Sequence, residues 1–179
     1  MQELSMNILD IAQNSVSAMS QHITITVDCN KNDDILTIII EDDGKGMNAD
    51  TLKKVTDPFY TTRTTRKVGL GVPFFKMTAE MTGGTFSIDS AEGEGTLIKA
   101  TFQYTHIDRP PLGDLAETIC HLICLNEGIL IKFVYRINDS EFIVETGEFT
   151  SVLDGVALNT PQVMQFIRGY LKENMDSLE

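Results

Sequence analysis

The stretch DDGKGM at residues 42–47, followed by GLG at residues 69–71, is the part of the sequence that predicts the fold. It follows an apolar run at residues 35–41, which predicts a buried strand. A carboxylate at the end of such a strand can accept a hydrogen bond from the exocyclic amine of adenine, and Gly44 and Gly46 would let backbone approach the base. These features predict a nucleotide pocket. Asp-Gly is also common turn chemistry, so a simple turn is the alternative.

The GLG stretch comes directly before a predicted helix that begins near Val72 and ends at the glycines 83 and 84. Free backbone N–H groups at the start of a helix can hold phosphates. The preceding residues 57–67 have no hydrophobic periodicity, which predicts a mobile loop. Its cations are Arg63, Arg66 and Lys67. They could reach a phosphate, or they could simply be solvated.

The first segment predicts a helix with one apolar face and a row of polar side chains on another. Apolar residues recur at helical spacing from Leu4 to Met19. The polar row consists of Asn7, Asp10, Asn14 and Ser17. A core helix does not need this row, so it is either an ordinary solvated face or part of the predicted pocket.

The remaining patterns predict two parts of the chain, a domain at residues 1–106 that contains the predicted nucleotide pocket and an α/β extension of unknown role at residues 107–179. Strands are predicted at residues 23–28, 35–41, 85–89 and 96–104, which would form a four-stranded sheet with helices on one face. A rigid connector follows at residues 108–111. Beyond it the sequence predicts a helix at 112–125, strands at 129–137 and 142–145, and a last helix after Pro161.

Composition limits the class of protein. The chain has 179 residues, of which 42% are hydrophobic and 22% charged, as in a globular domain. Its net charge of -12 argues against a nucleic-acid-binding surface. There is no apolar run long enough to span a bilayer and no signal-peptide pattern. We therefore expect a cytoplasmic protein with neither a nucleic acid nor a membrane as partner.

The three cysteines do not predict a disulfide framework, because their number is odd and no secretory signal accompanies them. They are Cys29, Cys120 and Cys124. The last two flank His121 in an apolar helical stretch. Buried packing is the default interpretation of that group, and metal ligation is the alternative.

Taken in order, the stretches at residues 10–18, 42–47, 57–59, 69–71 and 95–96 resemble the motifs of the gyrase, Hsp90, histidine kinase and MutL ATPase superfamily. The resemblance covers residues 1 to about 104. It implies an α/β (α+β) fold of the Bergerat type, a two-layer sandwich with helices on one face of a mixed sheet. It also implies that ATP lies between the helical layer and a flexible lid.

The resemblance further implies roles for individual residues. Asn14 resembles the asparagine whose amide oxygen binds Mg²⁺, and Asp42 resembles the aspartate that reads adenine. Gly44, Gly46 and Met47 would line the base, Thr96 would support it, Gly69, Leu70 and Gly71 would hold the phosphates, and Arg63, Arg66 and Lys67 would belong to the lid.

Asp10 is the predicted catalytic residue. It lies one helical turn before Asn14 on the same face, so its carboxylate would point toward the metal and the terminal phosphate. ATPase and serine/threonine kinase members usually have a glutamate at the matching position, and Asp10 is one methylene shorter. It can still act as a base within hydrogen-bond reach. An exposed polar helix residue is the alternative.

The sequence departs from the sensor kinases in two respects. It begins directly at the asparagine helix, and it shows no dimerisation helix with a phospho-accepting histidine. His22, His106 and His121 do not resemble such a site. The expected partner is therefore ATP with Mg²⁺, together with a separate protein or phospho-acceptor.

Three functions remain open at this stage. The first is an ATPase or protein phosphotransferase, the second is an ATP/ADP-responsive binding module with little turnover, and the third is a redox or metal sensor that uses the cysteines. Standalone proteins similar over residues 1–110 imply a link to gene clusters for iron hydrogenases. Whether the chain forms a homodimer stays open.

Overall fold

The computed structural model describes residues 3–57, 70–153 and 155–178. Twelve elements follow one another in this part of the chain. They are α1 (Leu4–Ser17), β1 (His22–Asn30), β2 (Ile35–Asp42), α2 (Ala49–Lys54), α3 (Gly71–Met81), β3 (Phe86–Ala91), β4 (Gly95–Gln103), α4 (Leu115–Leu125), β5 (Leu130–Ile137), β6 (Ser140–Glu145), α5 (Thr146–Leu153) and α6 (Pro161–Asp176).

The strands form one mixed sheet in the order β3-β4-β2-β1-β5-β6. The predicted four strands are neighbours in it, and β1 and β2 form the predicted antiparallel hairpin. The sheet does not stop there, because β5 pairs in parallel with β1 and carries β6 on its outer side. The predicted α/β class with a mixed sheet is confirmed, whereas the sheet has six strands rather than the predicted four.

Alternation of apolar and polar residues places the core on one face of the sheet. Along β1 every second residue is buried, beginning with Ile23. Because side chains alternate across a strand, these residues share one face with the buried residues of β2, such as Ile38 and Ile40. Helices α1, α3 and α4 pack on that face, and α1 contacts both of the others.

The connector after β4 is attached to the start of α1. The backbone N–H groups of Leu4 and Ser5 donate to the carbonyl oxygens of Pro111 and Leu112, at 2.9 and 2.8 Å. These bonds satisfy two donors that a helix start otherwise leaves without an intrahelical partner. They also hold Leu112 outside the next helix, so α4 begins at residue 115 rather than at the predicted 112.

The C-terminal helices pack on α4 and the second hairpin. Arg168 on α6 forms salt bridges with Asp114 at 2.8 Å and Glu117 at 2.7 Å, at the start of α4. The ring of Tyr170 contacts Phe142 on β6 and Phe149 on α5. Helix α5 was not predicted, because its eight residues are too short to show a clear helical period. Within the described residues, no helix is long and apolar enough to span a bilayer.

Candidate nucleotide-binding site

Asp42 is the last residue of β2, and its carboxylate is buried among hydrogen-bond donors. The side chain shares the core face with Ile40, and the residue is only 8% exposed. Oδ2 lies 2.6 Å from Ser15 Oγ on α1. Oδ1 lies 3.1 Å from Ser20 Oγ and accepts the backbone N–H of Gly44 at 2.9 Å. A buried carboxylate requires such donors, and here the protein supplies three.

The turn after Asp42 is fixed by backbone contacts on both sides. Lys45 donates its N–H to Ala18 O at 3.0 Å and accepts from Gly93 N at 2.8 Å. Gly46 has a φ of +61°, and a Cβ there would lie 1.8 Å from Ala91 O. Glycine is therefore required at residue 46 by the protein's own packing, whatever a bound base may require.

Asp43 points away from Asp42 and organises the neighbouring loop. Its Oδ1 accepts the backbone N–H groups of Gln21 at 2.7 Å and His22 at 2.8 Å, and its Oδ2 lies 2.6 Å from His22 Nδ1. These hydrogen bonds lower the pKa of the Asp43 carboxyl, and the bond from the His22 backbone N–H has the largest effect. The two adjacent carboxylates thus have separate tasks, and only Asp42 faces the core.

Thr96 lies directly beside Asp42, because the two residues are register partners in the β2–β4 pair. Its Oγ1 is 3.0 Å from Ser90 Oγ on β3. The same Ser90 hydroxyl donates to Gly95 O at 2.7 Å and accepts the Met47 N–H at 2.9 Å. Ser90 therefore ties the Met47 turn to the strands that carry Thr96.

A cavity of about 710 Å³ opens between α1, the 45–48 turn, α2 and the sheet. Its polar lining includes Asn14, Ser15, Asp42, Lys45 and Thr96, and its apolar lining includes Ile11, Ile40, Met47, Val55, Val72, Ile88 and Ile98. Apolar walls with a few convergent polar groups are typical of small-molecule sites. The volume and this lining fit a purine nucleotide.

Asp10 and Asn14 lie one turn apart on α1, and both are exposed. A Cβ built on Gly71, the first residue of α3, would lie 3.1 Å from the Asp10 Cβ and 3.8 Å from its Oδ2. The beginning of α3 therefore lies against Asp10, where the positive end of the helix dipole favours anions. Leu70 directly precedes it as the N-cap residue.

The structure thus brings most of the predicted site residues together. Asn14, Asp42, Gly46, Met47 and Thr96 line the cavity. Gly44 is buried under Ser20 and Ala18, and Asp10 meets Gly71 beyond the cavity's described lining. Four predicted residues, Arg63, Arg66, Lys67 and Gly69, lie outside the described residues.

Among the residues of this site that sequence reasoning missed are Ser15, Ser20, Lys45 and Ser90. Ser15 sits next to the predicted polar row, and Lys45 lies inside the quoted turn, so both carried a signal. Ser20 and Ser90 carried none, because their contacts depend on tertiary structure.

The cysteines lie apart from this cavity and are buried. Burial raises the pKa of Cys29 to about 11. Cys120 Sγ and Cys124 Sγ are 3.9 Å apart on successive turns of α4; this hydrogen bond lowers the pKa of Cys120 and raises that of Cys124. Within the described part of the chain, no three His, Cys, Asp or Glu side chains are grouped as a metal site.

Two known sensor kinases are similar in sequence to about half of this chain. Sensor histidine kinase WalK of Bacillus subtilis is 35% identical over 88 residues, which are 46% of this chain and 14% of that kinase. Sensor histidine kinase ZraS of Escherichia coli is 33% identical over 92 residues, 51% of this chain and 20% of that kinase. The chain thus spans a fifth or less of the length of these relatives.

A solved structure shares the fold over a larger part of this chain. The N-terminal domain of a DNA repair protein superposes with a TM-score of 0.60 at 11% identity, covering 88% of this chain and 59% of the other. A match over 88% of the chain extends beyond residue 106, so the shared fold includes part of the C-terminal region.

A family model for histidine kinase-, DNA gyrase B-, and HSP90-like ATPases matches residues 1–106, which is more than half of the chain. The chain therefore belongs to this ATPase family, whose shared domain binds ATP.

Proposed function

We propose that this protein binds Mg·ATP in the cavity between α1 and the sheet and transfers the terminal phosphoryl group to water or to a separate protein. The observation that carries the proposal is the buried Asp42 carboxylate, held by three donors at the inner end of a 710 Å³ cavity. In this proposal, the Asp42 carboxylate accepts a hydrogen bond from the exocyclic amine of adenine. Met47 and the apolar side chains of the lining contact the base, and Thr96 supports the base.

The phosphates would extend from the cavity toward Asn14 and the first residue of α3. The Asn14 amide oxygen would be a ligand to Mg²⁺, for which oxygen ligands are preferred. The backbone N–H groups at the start of α3, near Leu70 and Gly71, would face the phosphates. Gly69, Arg63, Arg66 and Lys67 remain proposed contacts from the part of the chain that is not described.

Asp10 would act on the attacking group. When Mg·ATP is bound, the bond between the γ-phosphorus and the β,γ-bridging oxygen breaks, a bond to the acceptor oxygen forms, and ADP leaves. Asp10 would accept the proton that the acceptor hydroxyl or water loses. Its position beside Gly71 supports this role, because the start of α3 is where the phosphates would be held.

The second candidate is a module that binds ATP and ADP and signals to a partner without turnover. One observation favours it: Asp42, Met47 and Thr96, which are proposed to hold the base, line the cavity, whereas Asp10 is not among its lining residues. Nucleotide can therefore be recognised whether or not Asp10 is in catalytic reach. Both candidates are regulatory, and both place the partner outside this chain. The link to hydrogenase gene clusters and a homodimer remain proposals of the same kind.

Calorimetry with Mg·ATP and a phosphate-release assay on the pure protein test the proposal together. We expect saturable binding of one nucleotide per chain and slow phosphate release, with or without cellular extract as a source of acceptor. Binding without phosphate release in either condition would favour the module. Absence of binding would overturn both candidates.

A further inference from the structure

We infer that Ser15 and Ser20 are positioning residues that set base selectivity by fixing the Asp42 carboxylate in one orientation. This inference rests on the proposed function, since it names what makes the proposed site select adenine. It concerns two hydroxyl groups that are themselves buried, with Ser15 3% and Ser20 4% exposed.

The hydrogen bonds to Asp42 leave a single acceptor position. An ionised carboxylate has about four lone-pair sites, two on each oxygen. On Oδ1 the two sites face the Gly44 N–H and the Ser20 hydroxyl, and on Oδ2 one site faces the Ser15 hydroxyl. The remaining site on Oδ2 can accept one N–H. A base with an exocyclic amine supplies that donor, whereas a base with a carbonyl at the same position would oppose oxygen to oxygen.

The backbone brings Ser20 to Asp42 by a turn that follows α1. Met19 has a φ of +61°, an uncommon conformation for a residue other than glycine. This turn brings Ser20 back over the helix end, where its N–H donates to Ser15 O at 3.3 Å. Its hydroxyl lies 2.8 Å from the same Ser15 carbonyl and 3.1 Å from Asp42 Oδ1.

The two serines therefore contribute unequally. The Ser15 hydroxyl has Asp42 as its acceptor at 2.6 Å, which is typical of a charge-assisted bond. The Ser20 hydroxyl has one proton for two acceptors, so it bonds Asp42 only part of the time. Without Ser15, the carboxylate can rotate or take up water, and the distinction between an amine and a carbonyl on the base weakens.

The test compares the dissociation constants of ATP and inosine triphosphate, which has a carbonyl in place of the adenine amine. Wild type should prefer ATP. In Ser15→Ala the preference should fall by about threefold to tenfold, the value of one net hydrogen bond, and in Ser20→Ala by less. Ser15→Thr, which keeps the hydroxyl, should retain the preference for ATP. Ser5→Ala is the matched control, because Ser5 is buried on the same helix but its hydroxyl bonds Glu3.

If Ser15 had a purely structural role, Ser15→Ala would weaken the binding of both nucleotides equally. The ratio of the two dissociation constants would then be unchanged, which would overturn the inference. An unchanged ratio with unchanged affinities would also overturn it. If wild type binds neither nucleotide, the proposed function itself fails and the inference fails with it. The three outcomes are distinguishable because the wild-type protein is measured first.

Discussion

The two ends of the proposed site are built differently. At the base end, Asp42 and Gly44 are buried, and their contacts are hydrogen bonds and close packing within the protein. At the phosphate end, Asp10 and Asn14 are exposed on α1. Contacts within the protein therefore fix the Asp42 carboxylate in place, whereas Asp10 and Asn14 present their side chains at the surface of α1.

This difference has a consequence for mutations. Changes at the base end should alter affinity and stability together, because the same groups hold the turn after β2. Changes at the phosphate end should alter turnover or metal dependence and leave the melting temperature unchanged, since exposed helix residues contribute little to stability.

The largest effect is expected at the phosphate end. Asp10→Asn keeps the size of the side chain but removes its basicity, so phosphate release should fall by about a hundredfold to ten-thousandfold. The dissociation constant of Mg·ATP should stay within about twofold of wild type, since an exposed group outside the base end is changed. Phosphate release and calorimetry on one preparation measure both. Asp139→Asn, in the exposed turn between β5 and β6, is the control. Equal hydrolysis by Asp10→Asn and wild type would remove Asp10 from catalysis.

The next effect belongs to the base end. Asp42→Ala removes the acceptor for the adenine amine, and a hydrogen bond to a charged group contributes about 1.5 to 3 kcal/mol. The affinity for ATP should therefore fall by about tenfold to a hundredfold. Glu41→Ala is the matched control, because it removes the preceding carboxylate, which is exposed on the opposite face of β2. Calorimetry that gives wild-type affinity for Asp42→Ala would contradict the assignment of the base end.

Asn14 tests whether the metal belongs to the phosphate end. Asn14→Ala should weaken ATP binding by about tenfold in the presence of Mg²⁺, the size of one bond to a charged group. With the metal chelated by EDTA, variant and wild type should bind ATP equally. The exposed neighbour Gln13→Ala should behave as wild type in both conditions. A loss of affinity that persists in EDTA would mean that Asn14 contacts the nucleotide without the metal.

The sequence predicted the strand and turn around Asp42 better than it predicted the sheet. The strand before Asp42 and the glycine turn are local features, and local patterns survive in a linear sequence. The parallel pairing of β5 with β1 joins strands about a hundred residues apart, and parallel pairs leave no turn signal between them. For that reason the sequence predicted a four-stranded sheet, whereas the sheet has six strands.

The serines around Asp42 illustrate the same limit within the site. Ser15 could be suspected because it follows Asn14 in a motif, although a helix pattern alone assigns it to the apolar face. Ser20 reaches Asp42 only because Met19 adopts a left-handed conformation, which the sequence does not indicate. Ser90 depends on the β3–β4 register. Hydrogen bonds between distant elements have no signature in local spacing.

The smallest expected effect concerns Asp43, at the base end but outside the cavity. Its pKa in the folded protein is lowered below the ordinary 3.8, first by the backbone N–H of His22 and then by the His22 ring. A carboxyl with a depressed pKa stabilises the fold above its unfolded pKa, and this stabilisation is lost as pH falls through the folded pKa. Because the side chain is 44% exposed, solvent screens the effect, and the shift in melting temperature should be small.

Asp43→Asn should therefore melt slightly below wild type at pH 7, and the difference should narrow as the pH falls below the ordinary value of 3.8. His22→Ala separates the two causes of the lowered Asp43 pKa, the backbone N–H of residue 22 and the His22 ring. Because the backbone N–H is the larger one and survives in that variant, most of the wild-type pH dependence should remain. Thermal melts from pH 2 to 7 on the three proteins, roughly spanning the carboxyl range, measure this. A difference between Asp43→Asn and wild type that stays constant across the series would show that Asp43 stabilises its loop by packing rather than by its charge.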